Sequence, residues 1–240
     1  SKGYLTRPTL SVDTIGEIIS FVKARSSAYV MVDNCYGEFT ETKEPVAMGA
    51  DLMAGSLIKN PGGGVAPTGG YIAGRRDLAE CGGYLCGTKK AVELASYRMT
   101  TVGVGAEGGA SLGQNKSILK GFFYAPHTVK EAVKTAIFAS KIFEELGFRA
   151  EPASTATRHD IIEAIYLGDP ELLCAFCRGI QWASPIDSYV TPQPWDMPGY
   201  SDKVIMAAGA FTSGSSIELS ADGPLRPPYI AYLQGGLTYE

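Results

Sequence analysis

The stretch GADLMAGSLIKNPGGG, Gly49 to Gly64, decides how the chain is read. A near-continuous apolar run from Leu52 to Ile58 ends on a single lysine, Lys59, which opens into Asn60, Pro61 and three glycines. Apolar runs of this length, bounded by turn residues, suit a buried strand of a parallel sheet. Lys59 then sits at the carboxyl end of that strand, where open α/β sheets bind their ligands.

Upstream, Ser11 or Thr14 is placed to cap a helix whose apolar positions Ile15, Ile18, Ile19 and Val22 have the spacing of one buried helix face. AYVMVDN follows as a short strand that ends on Asp33. Helix, strand and then a charged residue at the strand's end is an α/β pattern. Downstream, TGGYIAGRR supplies a third strand flanked by glycines. A long amphipathic helix is predicted from Glu131 to Leu146, stopped by Gly147. Beyond it come shorter strands, DIIEAIYLG, KVIMAAGAF and SSIELSA, around one helix, DPELLCAFCRGIQWA. This change of texture suggests a second region beginning near residue 126 to 150, within an α/β chain.

The chain has 240 residues and a net charge of −4, so no basic surface recommends nucleic acid or an anionic membrane as a partner. No apolar run is long enough to cross a bilayer, and SKGYLTRPTL at the start has no apolar signal region. A cytoplasmic setting is expected. Five cysteines in a chain of this length do not make a disulfide framework. Cys174 and Cys177 have metal-like spacing but fall within a helical pattern with no second pair, which favours helix packing over a metal site. With Ser1 as the first residue and Glu240 as the last, the sequence reads as a piece of a longer polypeptide.

Two glycine-rich strings are poor candidates for phosphate binding. GVGAEG, Gly103 to Gly108, has dinucleotide-site spacing but lacks the preceding strand. In GGASLGQNKS two residues separate Gly113 from Lys116, whereas a phosphate loop needs them adjacent. GGYIAGRRDLAE, starting at Gly69, is echoed by GGYLCGTKKAVE, starting at Gly82, a local duplication with a period of 13 residues. His127 and His159 lie in a helix-start context and a polar turn, and neither forms a nucleophile-activating arrangement.

Asp33 and Lys59 remain, each at a predicted strand end. A lysine partly removed from water loses its ammonium more readily and can form a Schiff base with an aldehyde. A carboxylate facing a pyridine nitrogen keeps it protonated and makes the ring an electron sink. Ser56, three residues before Lys59, adds a hydroxyl for a phosphate, and Gly62 to Gly64 let backbone amides approach an anion. Taken singly, Asp33 also suits a turn, Ser56 a strand interior and Lys59 an exposed strand end.

VDNCYGEF, GADLMAGSLIKNPGGG, TGGYIAGRR, TPQPWDMPGY, ELSADGPLRPPY and YLQGGLTYE together resemble the methionine gamma-lyase-related family, also labelled aluminium resistance proteins. These belong to the pyridoxal-phosphate enzymes of cysteine and methionine metabolism. The resemblance runs over nearly the whole chain. It implies a fold type I, aspartate-aminotransferase-like α/β architecture: residues 1–125 as the later part of a cofactor-binding large domain with a mixed, mostly parallel sheet, and residues 126–240 as an α+β C-terminal domain. It implies pyridoxal 5'-phosphate as cofactor, Lys59 as Schiff-base lysine and proton shuttle, Asp33 as partner of the pyridine nitrogen and Ser56 as phosphate ligand.

The chain departs from the family's well-studied lyases in carrying Ile58 where they have a hydroxyl residue, and Glu218 where they have the arginine for the substrate carboxylate. Arg226, eight residues on, is the candidate replacement; the alternative for it is a surface or interface ion pair. The implied activity is carbon-sulfur elimination from a small sulfur-containing amino acid, in a homo-oligomer, dimer or tetramer. The alternative is a non-catalytic remnant that serves as an interaction or structural domain.

Overall fold

Ser11 is extended and its hydroxyl accepts the N–H of Thr14 at 3.1 Å, which starts helix α1, Val12–Lys23. The buried positions are Val12, Gly16 and Ile19, whereas Ile18, expected on that face, is 46% exposed. Gly16 turns the helix: a Cβ there would stand 2.8 Å from Met48 Cε, so this is where the neighbouring turn closes on α1. The computed structural model describes residues 4–75, 90, 114–207 and 217–236.

Strands β1 (Met31–Asp33) and β2 (Leu52–Ser56) pair in parallel, with Asp33 opposite Ala54. Strand β3 (Gly70–Gly74) returns antiparallel to β2, with Ser56 opposite Gly70 and Gly55 opposite Tyr71. The described sheet is mixed, as expected, with one parallel and one antiparallel pair in the order β1-β2-β3. The link from β2 to β3 holds only a single helical turn, Asn60–Gly62, and no crossover helix, so β3 has to run back. Strand β2 also stops short of the predicted Ile58: the N–H of Lys59 turns back to the Ser56 carbonyl at 3.3 Å.

Asp51, just before β2, fastens the entrance of this sheet. It is 1% exposed, and Lys23 from the end of α1 donates to it. Arg75 reaches its other oxygen at 3.0 Å, and the Val30 N–H donates at 2.7 Å. Lys23 first, then the Val30 amide, hold its carboxyl down to about 2.

Two compact units emerge, Leu10–Pro126 and Ser1–Thr9 with His127–Glu240. Helix α2, Asn115–Glu145, contains Pro126 in its interior and begins well before the predicted Glu131. The unit boundary falls at that proline, which leaves one helical hydrogen bond unmade. Gly147 ends the helix at φ +86°, with its N–H on the Glu144 carbonyl at 3.0 Å.

The second unit is built on an antiparallel sheet of β4 (Arg149–Glu151), β5 (Glu163–Tyr166), β6 (Val204–Ala207), β7 (Ser220–Pro224) and β8 (Ile230–Gln234), in the order β4-β5-β8-β7-β6. Every residue of β7 and β8 is buried. Helix α3, Pro170–Trp182, is capped by Asp169, whose carboxylate accepts from the N–H of Glu171 at 2.8 Å and of Leu172 at 3.0 Å. It packs Leu173, Cys174 and Cys177 against Ile165, Ile205, Ala221 and Leu233. Each fully buried aliphatic side chain of this core contributes roughly 1.5–3 kcal/mol. The two cysteines pack in the core, and burial pushes both thiols up. Near the start of the chain, Tyr4 joins the same unit through the rings of Tyr200 and Tyr232, at 5.4 and 5.0 Å.

No helix among the described residues is long and apolar enough to cross a membrane. The second copy of the echo apart from Lys90, GVGAEG, Gly113, Cys81 and Cys86 lie outside the described residues.

Candidate functional site

Side chains alternate across a strand, so the register of β1 with β2 sorts the residues of interest by face. Asp33 lies opposite Ala54, and Ser56 is two residues further along β2, so Asp33 and Ser56 share one face. Gly55 and its partner Tyr71 occupy the other. The residues predicted to partner the ring nitrogen and the phosphate, Asp33 and Ser56, are thus on the same side of adjacent parallel strands.

Lys59 leaves the end of β2 half-buried and reaches the loop that follows β1. Its Nζ donates to the Tyr36 hydroxyl and lies 4.1 Å from the centre of the Tyr36 ring. Tyr36 holds φ +74°, a left-handed conformation uncommon for an aromatic residue, at a cost on the order of 1–2 kcal/mol. Asp33 is exposed, and its Oδ1 accepts the N–H of Cys35 at 3.1 Å. Burial, then the neighbouring Asp33 carboxylate, push the Cys35 thiol up to about 11. Ser56 Oγ accepts the N–H of Ile58 at 3.3 Å. One loop, residues 33 to 38, therefore carries the candidate carboxylate and the hydroxyl that holds the candidate amine.

A second link joins the same segments. Asn60, next to Lys59, donates from Nδ2 to the Glu38 carbonyl at 2.9 Å. The Glu38 side chain is 3% exposed and accepts the Tyr71 hydroxyl at 2.6 Å. Burial pushes its carboxyl up to about 7. Tyr36 and Glu38 were both missed at the level of sequence; their only signal was their position in DNCYGEF, between a strand end and the lysine turn.

The glycines after Lys59 do something other than what their sequence suggested. A Cβ on Gly62 would lie 1.6 Å from the Leu57 carbonyl oxygen, and one on Gly63 2.1 Å from that of Gly121. A Cβ on Gly121 would in turn lie 2.1 Å from the Gly62 carbonyl oxygen. Both loop glycines are buried, so they serve a backbone-to-backbone contact with α2 and are not laid open to an anion.

Arg226 belongs to the other unit. Its guanidinium pairs with Asp202 at 3.1 Å and donates to the Tyr4 carbonyl at 3.2 Å, with the side chain 45% exposed. Glu218, in the place of the family's arginine, is buried.

The methionine gamma-lyase family model matches residues 1–81 and 76–240, two stretches that overlap within the echoed segment. An uncharacterized protein of Bacillus subtilis (strain 168), YnbB, is 53% identical over 240 residues, which are 100% of this chain and 54% of that protein. An uncharacterized 33.9 kDa protein of Lactobacillus delbrueckii subsp. bulgaricus is 50% identical over 100% of this chain and 74% of its own length. A solved carbon-sulfur lyase involved in aluminum resistance, from Clostridium novyi NT, is 52% identical with a TM-score of 0.80, over 97% of this chain and 51% of that one. The chain spans about half the length of the B. subtilis relative and of the solved lyase. With a family match that runs through both units and every motif described above, the chain belongs to the methionine gamma-lyase family.

Proposed function

We propose that this chain carries the cofactor-anchoring part of a pyridoxal-phosphate-dependent lyase that cleaves a carbon-sulfur bond in a sulfur-containing amino acid, with fold type I architecture. The observation that carries the reading is the junction of Lys59 with the loop of Asp33, through Nζ and the Tyr36 hydroxyl. The donor set suits the cofactor: an amine for its aldehyde, a carboxylate for its ring nitrogen and a hydroxyl for its phosphate, all at the carboxyl ends of adjacent parallel strands. The name of the C. novyi relative, a carbon-sulfur lyase, points the same way.

Pyridoxal phosphate, when bound, supplies a ring that accepts the electron pair left at the substrate carbon. Lys59 would hold the aldehyde carbon through Nζ and, once the substrate amine displaces it, take the proton from the substrate α-carbon. Tyr36 directs Nζ before that exchange and is within reach to share its proton. Asp33, steadied by the Cys35 N–H, would keep the ring nitrogen protonated, and Ser56 Oγ would donate to a phosphate oxygen. Arg226 is the candidate for the substrate carboxylate. Release from Asp202 costs it little, since an exposed pair contributes under about 1 kcal/mol. A homo-oligomer in a cytoplasmic setting belongs to the same proposal.

The test is reduction with borohydride in the presence of pyridoxal phosphate, followed by peptide mapping. A pyridoxyl group on Lys59 is the expected result. Its absence from Lys59, in a protein that is otherwise folded, overturns the assignment.

A further inference from the structure

We propose that Glu38 is a positioning residue for Lys59: its side chain carries a proton at the junction of sheet and lysine turn, and gain or loss of that proton resets the turn. This rests on Lys59 being the reactive amine.

Two buried acceptors near the lysine have no hydrogen-bond partner, Glu38 Oε2 and Asn60 Oδ1. Glu38 is 3% exposed and Asn60 0%. Their residues are already joined, since Asn60 Nδ2 donates to the Glu38 carbonyl at 2.9 Å. Two acceptors cannot satisfy each other, and an unmet buried polar atom is costly. A proton on Glu38 turns Oε2 from an unmet acceptor into a donor, which removes one of the two unmet acceptors beside the lysine turn.

Burial and the negative charge of Glu44 argue for that proton, while the Tyr71 hydroxyl, which donates from β3 at 2.6 Å, works against it. Cys35, in the same loop, feels the Glu38 charge and is itself held protonated. Among the described residues the main influences on Glu38 include no cation, unlike those on Asp51. The backbone amides of Glu38 itself and of Tyr36 draw the carboxyl partly back down, so it also senses the residue that holds Lys59 Nζ. Burial is nonetheless the dominant influence and leaves it near 7, within the working range of a cell.

The carboxyl has no slack in which to relax. A Cβ on Gly55 would lie 2.3 Å from Glu38 Oε1 and 2.5 Å from Tyr71 Cε1, so the carboxyl is pressed onto the strand wherever a side chain would otherwise stand. Loss of the proton leaves a bare carboxylate against that surface. It is relieved by water entering or by the loop shifting, and either one moves Asn60, the chain neighbour of Lys59, and Tyr36, whose hydroxyl accepts from Lys59 Nζ.

The experiment needs no cofactor. Lys59 of the purified protein is acylated over a series of pH values and its labelling rate read by peptide mass spectrometry, with Lys130 as internal control. The expected wild-type profile has an inflection near 7 beyond that of the amine itself, worth a several-fold change in rate. In Glu38→Gln this inflection disappears while Lys130 is unchanged. Infrared difference spectra should show a protonated carboxyl C=O stretch below 7 that Glu38→Gln lacks. Should Glu38→Gln not fold, Tyr71→Phe replaces it: removing the hydroxyl takes away a bond that lowers the Glu38 pKa, so the inflection moves upward.

A Lys59 profile without the inflection, one unchanged by Glu38→Gln, or one unmoved by Tyr71→Phe overturns the proposal. A pyridoxyl group missing from Lys59 alongside an intact Glu38-dependent inflection would sink the lyase assignment and leave this coupling standing.

Discussion

Two buried carboxyls sit at opposite ends of the same strand and behave in opposite ways. Asp51, before β2, is met by Lys23 and Arg75 and held down to about 2; Glu38, packed on Gly55 near the other end of β2, is met by a phenol and another acid and raised to about 7. Burial is almost the same, 1% and 3% exposed. Cations and an amide beside Asp51 outweigh burial, whereas at Glu38 burial itself is the dominant influence and raises the carboxyl. The entrance end of the sheet is satisfied and suited to stability, whereas the exit end, where Lys59 lies, keeps unmet groups that chemistry can draw on.

The sharpest way to break this contrast is Lys59→Ala. It should abolish borohydride-fixed pyridoxyl labelling while thermal unfolding stays close to wild type, because the residue contributes to the exit end only. A large loss of stability would show that the lysine is structural.

Asp51→Asn comes next and should do the reverse. It leaves Lys23 and Arg75 without the carboxylate they share and gives the largest loss of stability of these variants, measured by chemical unfolding. In the wild type the Asp51 contribution is complete above 3.8 and is lost as pH falls through about 2. The acid limb of the stability profile in that window should flatten in the variant.

Glu38 has the opposite sign. Its folded pKa is raised, so its contribution is complete below 4.5 and is lost as pH rises through about 7. A shift of this size corresponds to at most about 3 kcal/mol between those limits. Glu38→Gln imitates the neutral acid at every pH and should remove that slope in unfolding free energy measured across it. A slope that persists in the variant would assign the effect to another group.

The smallest effect sharpens the entrance end. Ser11→Ala removes the cap of α1, the helix that delivers Lys23 to Asp51, and should cost about 1 kcal/mol in denaturant unfolding without changing Lys59 labelling.

Features set by local chemistry were legible in the sequence. The Ser11 cap, Gly147, the strand that ends on Asp33 and the packing of Cys174 and Cys177 all follow from neighbouring residues and short-range geometry. What was not legible depends on contacts between distant segments. Met48 meets α1 at Gly16 while Ile18 is left exposed, and β3 runs antiparallel because its link carries no crossover helix. Glu38 looks like any loop acid until Tyr71, 33 positions away, is placed against it. At the candidate site the sequence pointed to Asp33, Ser56 and Lys59 by type and order, but the Tyr36 hydroxyl on Lys59 required a left-handed tyrosine that no local pattern announces. The Asp202 partner of Arg226, 24 positions upstream, was equally hidden.

The contact of Gly62 and Gly63 with Gly121 places main chain directly on main chain, with no side-chain layer between the lysine turn and the long helix. Such a junction has no cushion: a tilt of the helix passes undamped to the turn, and a methyl group added on either side has nowhere to fold away. The two segments behave as one rigid fitting, so a change made in one has to be matched in the other.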